Sequence, residues 1–318
     1  MRRRGFEAGF KGVRVLVPQG VDTRRCRLGA TYCEAPFTFE HILQAISVPN
    51  GEVDRAKLLA AFLNSRLAVW YAFHGTGSFD SYRPKVHQEH LLRLPLPTPS
   101  DLPDKEAAAE AAARELIDVI DNARGRAADP FSLESDVPDV LRRIDHLVYR
   151  CFGLNDDEVA VIEDTVEFII PALQPHDGSV PELWRAPDAC ECAAYAAALA
   201  ENLRPWFRGS DPISRRLLAR SADLGIAELC VAGSGLDVEH RAGQVTALLE
   251  RLSAHIDQPL DGNLQLKPDL RVSLGEYLYV IKPMQLRFWL ESTALADADA
   301  IALDLQQAVE MQRRQSTG

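Results

Sequence analysis

The stretch PLPTPSDLP at 95–103 limits what this 318-residue chain can fold into more than any other. Proline has no backbone N–H and a fixed φ, so four prolines in nine residues exclude regular helix and central strand there. The chain is divided at this point, and the two sides differ in charge. Residues 1–93 carry 14 Lys/Arg and 8 Asp/Glu, a net +6, whereas 94–318 carry 21 and 38, a net -17. The overall -11 would disfavour a polyanionic partner if the charge were evenly spread. The split removes that objection for the first part and strengthens it for the second. With 47% hydrophobic residues the chain has room for about two globular domains, which excludes disorder and collagen.

Periodicity gives an α/β (α+β) fold class. VRVLV (13–17) reads as a buried strand, and FTFEHILQAIS (37–48) contains a short helix or strand. From Asp54 to Phe73 apolar residues recur at spacings of three and four, so a single helix is expected. KVHQEHLLRL (85–94) is a short amphipathic element. Beyond the prolines, 104–127, 137–153 and 155–170 are helical, the second stopped by Gly153 and the third capped by Asn155 and ended by Pro171. The final part reads as a small α/β domain: helix at 188–207, strand at 226–233, helix at 239–256, a hairpin or bent strand at 271–290 and helix at 297–313. The expected domains are 1–100, a helical spacer at 101–175 and an acidic α/β domain at 176–318.

Six cysteines are too few for a disulfide framework, and none shows C-x2-C spacing, so reduced thiols without a metal are expected. No apolar run reaches the roughly 18–20 residues of a membrane span, and Pro18 breaks the N-terminal apolar stretch. A cytoplasmic, membrane-free protein is the expectation.

Most motifs that suggest catalysis lack their context. Phe73-His-Gly-Thr-Gly77 follows a helical pattern rather than the strand a nucleotide-binding turn needs, and GSG (233–235) reads as a turn. The Asn/Asp-Pro-Pro-Tyr/Phe tetrapeptide of amino-methyltransferases is missing from the sequence, Asp129-Pro130 and Asp211-Pro212 being its closest dipeptides. Nothing orients His74, His87 or His90 toward Ser78 or Ser81. Asp269, Glu276 and Lys282 can be forced into a metal-nuclease pattern, but that chemistry wants its carboxylate and lysine two apart on one strand; solvated charges on an exposed strand are the simpler reading.

GTGSFDSYRPKVHQEHLLRLPLP (75–97) is different. Small residues, Arg83, Lys85, His87 and Arg93 share a loop with Phe79 and Tyr82, so cations can approach phosphates while polar and aromatic neighbours reach base edges. The alternative is a solvated surface loop.

Three stretches carry a resemblance. LLAAFLNSRLAVWYAFHGTGSFDSYRPKVHQEHLLRLPLP (58–97) resembles the target-recognition region of N6-adenine DNA methyltransferases of restriction–modification systems, type IIG-like and stand-alone: an LLNS helix, a polar loop, an R-P-K-like segment and an L-x-x-L-P-x-P exit. IDHLVYRCFGLNDDEVAVIED (144–164) is similar to the helical stretch that follows there, and LYVIKPMQLRFWLESTALADADAI (278–301) to the tail of a longer subgroup of N-6 DNA methylases. The resemblance implies a target-recognition-like domain at 1–100 that binds double-stranded DNA through Arg83, Lys85 and His87, supported by Arg14, Arg66 and Arg93. It implies that S-adenosylmethionine and catalysis belong to a methyltransferase subunit on another chain, in restriction–modification or phage defence. Rival expectations are a protein-interaction or assembly module, or a degenerate methylase fragment with no DNA binding of its own, and, third, a metal nuclease using Asp269 and Glu276.

Overall fold

β-Branched residues at alternate positions build the first sheet, and its centre is the VRVLV strand. In the computed structural model, which describes residues 7–49, 51–76, 84–96, 98–102, 104–127, 137–173, 180–206, 213–220, 223–230, 250, 269–274 and 277–316, the chain separates into two units, Met1–Gly178 and Ser179–Gly318. Both combine helices with a small antiparallel sheet, so the α/β class holds.

In the first unit β1 (Arg14–Pro18) lies between β2 (Thr31–Cys33) and β3 (Leu43–Ser47), antiparallel to both, with Arg14 opposite Cys33 on one side and Ser47 on the other. Alternation sends Val15 and Val17 into the core beneath the helices. Arg14 and Leu16 face the other way and are also buried. That second face is closed by aromatic residues: the Phe10 and Phe39 rings lie 5.0 Å apart, and the Arg14 guanidinium sits 5.1 Å from the centre of Phe37.

The helix expected over 54–73 is two helices, α1 (Val53–Leu63) and α2 (Arg66–Gly75). Two side chains at the break outcompete the helical ladder. Asn64 copies a strand pairing, donating from Nδ2 to the Ala30 carbonyl (2.6 Å) and accepting from the Ala30 N–H (3.1 Å). Ser65 caps α2, accepting from the Ala68 N–H, and its hydroxyl donates to the Phe62 carbonyl. The segment expected at 85–94 contains the short helix α3 (Gln88–Leu91).

Helices α4 (Glu106–Ala127), α5 (Val137–Cys151) and α6 (Asp156–Asp164) were expected as a spacer and are instead part of the first unit's interior. Leu116, Val119, Ile144, Leu147 and Val148 share one core with Val15, Val17, Phe62 and Leu63. A three-stranded sheet with two short helices cannot bury its own apolar face, so the Pro-rich segment changes the composition without ending the core. Pro171 does not end the third helix. A π-helical turn at Thr165–Ile169 precedes it, and the wider turn absorbs the missing N–H before α7 (Ile170–Leu173) continues.

The second unit has a four-stranded antiparallel sheet in the order β4-β5-β7-β6, from β4 (Ser214–Arg220), β5 (Leu224–Cys230), β6 (Leu270–Leu274) and β7 (Tyr277–Pro283). Helices α8 (Ala189–Leu203) and α9 (Glu291–Ser316) pack on one face. Tyr195, Leu199, Leu229, Val280 and Trp289 fill the space between. The hairpin expected over 271–290 is β6 and β7; α9 begins six residues before the expected helix. The helix expected at 239–256 and the GSG turn lie outside the described residues, residue 250 apart.

Candidate nucleic-acid interface

Residues 84–86 are fastened as an extra strand-like edge. The Val86 N–H donates to the Gln19 carbonyl (2.9 Å), the Val21 N–H to the Pro84 carbonyl (3.1 Å), and Gln44 Nε2 to the Val86 carbonyl (2.7 Å). Gly20 and Lys85 stand opposite each other as an antiparallel bridge. Extended backbone alternates its side chains, so Pro84 and Val86 enter the core while Lys85 and His87 project outward. His87 precedes α3, and its N–H donates to His90 Nδ1 at 3.4 Å. His74 is elsewhere, at the end of α2 against Trp70.

Beside that edge is a turn that carries more positive charge. Asp22 and Arg27 exchange both backbone hydrogen bonds (2.8 and 3.2 Å), and Asp22 Oδ1 accepts from the N–H groups of Arg24 and Arg25 (3.1 and 3.2 Å). An Asp that ties down the two following amides makes an Asx-type turn, and Cys26 closes it at φ +52°. Arg24 and Arg25 stand exposed on the turn, three to five residues from the positions paired with 84 and 85. Lys85, Arg24 and Arg93 are exposed and make no ion pair among the described residues, while Arg25 has only a loose one to Asp22 at 3.8 Å.

Of the six cations expected to meet DNA, Lys85, His87 and Arg93 are exposed; Arg83 lies outside the described residues. Two are committed to the fold. Arg14 is 0% exposed and donates to the carbonyls of Gly12 (2.8 Å) and Ala35 (2.6 Å), out of reach of a duplex. Arg66 binds Glu163 and Glu167 and lies 3.9 Å from Asp145, so three carboxylates already surround its charge. Arg24 and Arg25 escaped the sequence reading, although D-T-R-R carried the signal: an Asx-turn residue followed by two arginines.

The turn is anchored from below. Arg27 Nη1 and Nη2 donate to the two oxygens of Asp145 (2.6 and 2.5 Å), both side chains buried. Asp145 also accepts from the Arg66 N–H (2.7 Å), joining the turn, the start of α2 and α5. Glu163 accepts from Tyr149 Oη at 2.5 Å, and burial with that carboxylate drives the phenol's pKa up.

The nuclease pattern looks different in three dimensions. Lys282, expected as a solvated strand charge, is 1% exposed, because β7 turns it toward α8 and α9. Its ammonium binds Asp297, lies 4.8 Å from the Tyr195 ring centre, and is pushed down in pKa by burial. Tyr195 Oη donates to the same carboxylate (2.6 Å), and Arg271 joins Asp269 to Asp297. Glu276 lies outside the described residues, and among those described no three His, Cys, Asp or Glu side chains gather to hold a metal. No described helix is long and apolar enough to cross a membrane. No family model, curated protein or solved structure matches the chain.

Proposed function

We propose that the first unit binds double-stranded DNA and serves as the sequence-recognition part of an N6-adenine methyltransferase system whose catalytic domain is on another chain. One observation carries this reading: the pairing of 84–86 with 19–21 sets exposed Lys85 opposite Gly20, four residues before Arg24 in the Asp22–Arg27 turn. Exposed Lys85 and Arg24, without an ion pair among the described residues, and Arg25, only loosely paired with Asp22, suit contacts to successive phosphates. The resemblance of 58–97 and 144–164 to target-recognition regions supports the same reading.

Fluorescence anisotropy with a labelled duplex tests it. Binding is expected at about 50 mM salt and should weaken steeply by about 200 mM, as neutralised phosphates release counterions. The combined Arg24→Ala, Arg25→Ala and Lys85→Ala variant should lower the slope of log affinity against log salt by about three. No affinity at low salt would sink the proposal.

A second reading, assembly, is favoured for the other unit by exposed apolar residues along α9: Leu303, Val309 and Met311 are 54%, 48% and 57% exposed, on a helix whose last turn carries Arg313 and Arg314. Replacing the three by Glu should abolish co-purification with a methyltransferase chain and leave DNA affinity unchanged; unchanged co-purification removes this role.

A further inference from the structure

Away from the proposed interface, the first unit holds a cavity of about 280 Å³ between α1, α4 and α5. Its lining includes Phe62 and Phe152, stacked with centres 5.1 Å apart, together with Leu58, Leu116 and Val148. The space exists because α4, besides Leu116, offers Ala109 and Ala113, about one turn apart, where larger apolar residues would fill it. Protein interiors leave few voids larger than one water, and an apolar cavity of about 150 Å³ stays dry and takes up benzene. This space is open at one side, and its mainly apolar lining, rather than enclosure, is what suits it to an apolar guest.

The mouth limits the guest's charge. Arg55 and Thr98 reach the cavity from exposed positions. Arg55 is paired with Glu52 at 2.9 Å, and Thr98 Oγ1 is bonded to Asp101 and Ser100. The mouth already holds charges of both signs, the Arg55–Glu52 pair and the Asp101 carboxylate bonded to Thr98, so a charged head of either sign would have to compete with groups already paired there.

We propose that this cavity binds a neutral, mainly apolar molecule of about eight to ten carbon atoms, its single hydroxyl-type group lying at the Arg55–Thr98 mouth. A chain of that size matches the volume, and one polar group keeps its hydrogen bonds at the surface while the rest is buried.

Calorimetric titration of the full chain with 1-octanol, octanoate and octylammonium tests the class. One saturable site is expected for 1-octanol, with both charged analogues weaker by about tenfold or more. Ala113→Phe fills the space and should abolish binding with an unchanged or raised melting temperature; Ala109→Leu, a smaller change, should weaken it. Cys151 also lines the cavity, so 1-octanol should slow its modification by methyl methanethiosulfonate, read by peptide mass, without protecting exposed Cys190. No saturable heat, a tighter charged analogue, or undiminished binding in both folded variants overturns the proposal.

Discussion

Asp145 shows how much one side chain can organise. It takes both ends of the Arg27 fork and the first amide of α2, so its loss leaves a buried guanidinium without a counterion. Breaking one partner of a buried pair typically costs about 3–5 kcal/mol. Asp145→Ala should lower the first unit's unfolding free energy by about that much in urea, and a change below about 1 kcal/mol would show that the pair is replaceable. Gly225 is a second constraint of this kind. A Cβ there would meet Trp289 at 2.4 Å and Met284 at 2.7 Å, both in the interior. Gly225→Ala is therefore expected to destabilise the second unit by roughly 1–3 kcal/mol in thermal melts.

Two half-buried thiols set an alkaline limit. Burial pushes Cys26 and Cys151 from the ordinary value of 9.0 up to about 11. Between pH 9 and 11 the unfolded chain loses these protons while the folded chain keeps them. The native state then binds more protons, so stability falls as pH rises through that window. Tyr149, also held protonated, adds the same sign above its ordinary value of 10.0; buried Lys282, its pKa lowered, works oppositely in the second unit. The urea midpoint of the first unit should drop from pH 9 to 11, and the double variant Cys26→Ala, Cys151→Ala should flatten that slope. An unaltered slope would refute the role of the thiols.

At the scale of elements, caps and stops were the most legible features. Asn155 accepts from the Glu158 N–H at 2.8 Å, Glu158 returns a bond to the Asn155 N–H at 2.9 Å, and Gly153 takes φ +63° after α5. These signals are local, so sequence carries them. Asn155→Ala should cost about 1 kcal/mol in a denaturant series, whereas Asn155→Asp should cost only a few tenths. The break at Asn64–Ser65 was not legible, because its cause is a pairing with Ala30, 34 residues earlier in the chain. The π turn before Pro171 escaped for the opposite reason: the proline was visible, but the packing of Thr165 and Val166 that keeps the chain helical was not. Ala109 and Ala113 read as helix formers and gave no sign of the space beside them. Of the candidate site, Lys85 and His87 could be read from alternation, but the burial of Arg14 depends on Phe37 closing the sheet's second face, which periodicity does not encode.

For the whole molecule, the -17 stretch is not a single body. Its first 85 residues include the helices that complete the +6 part, so the charge boundary and the core boundary fall in different places. A fragment of residues 1–100 should therefore fail to unfold cooperatively, whereas 1–178 should show a single sigmoidal transition by circular dichroism. Cooperative unfolding of the shorter fragment would restore the spacer view. Because the exposed cations of the proposed interface belong to the 1–178 unit, the DNA-binding proposal expects that fragment to bind a duplex as tightly as the full chain does.

The Arg27–Asp145 pair also bears on synthesis. Its partners are 118 residues apart, and at about 5–20 residues per second the ribosome delivers the carboxylate several seconds after the guanidinium. Through that interval Arg27 has no Asp145 to pair with, and a chain terminated upstream of residue 145 would lack both that carboxylate and the core residues Leu147 and Val148 of α5.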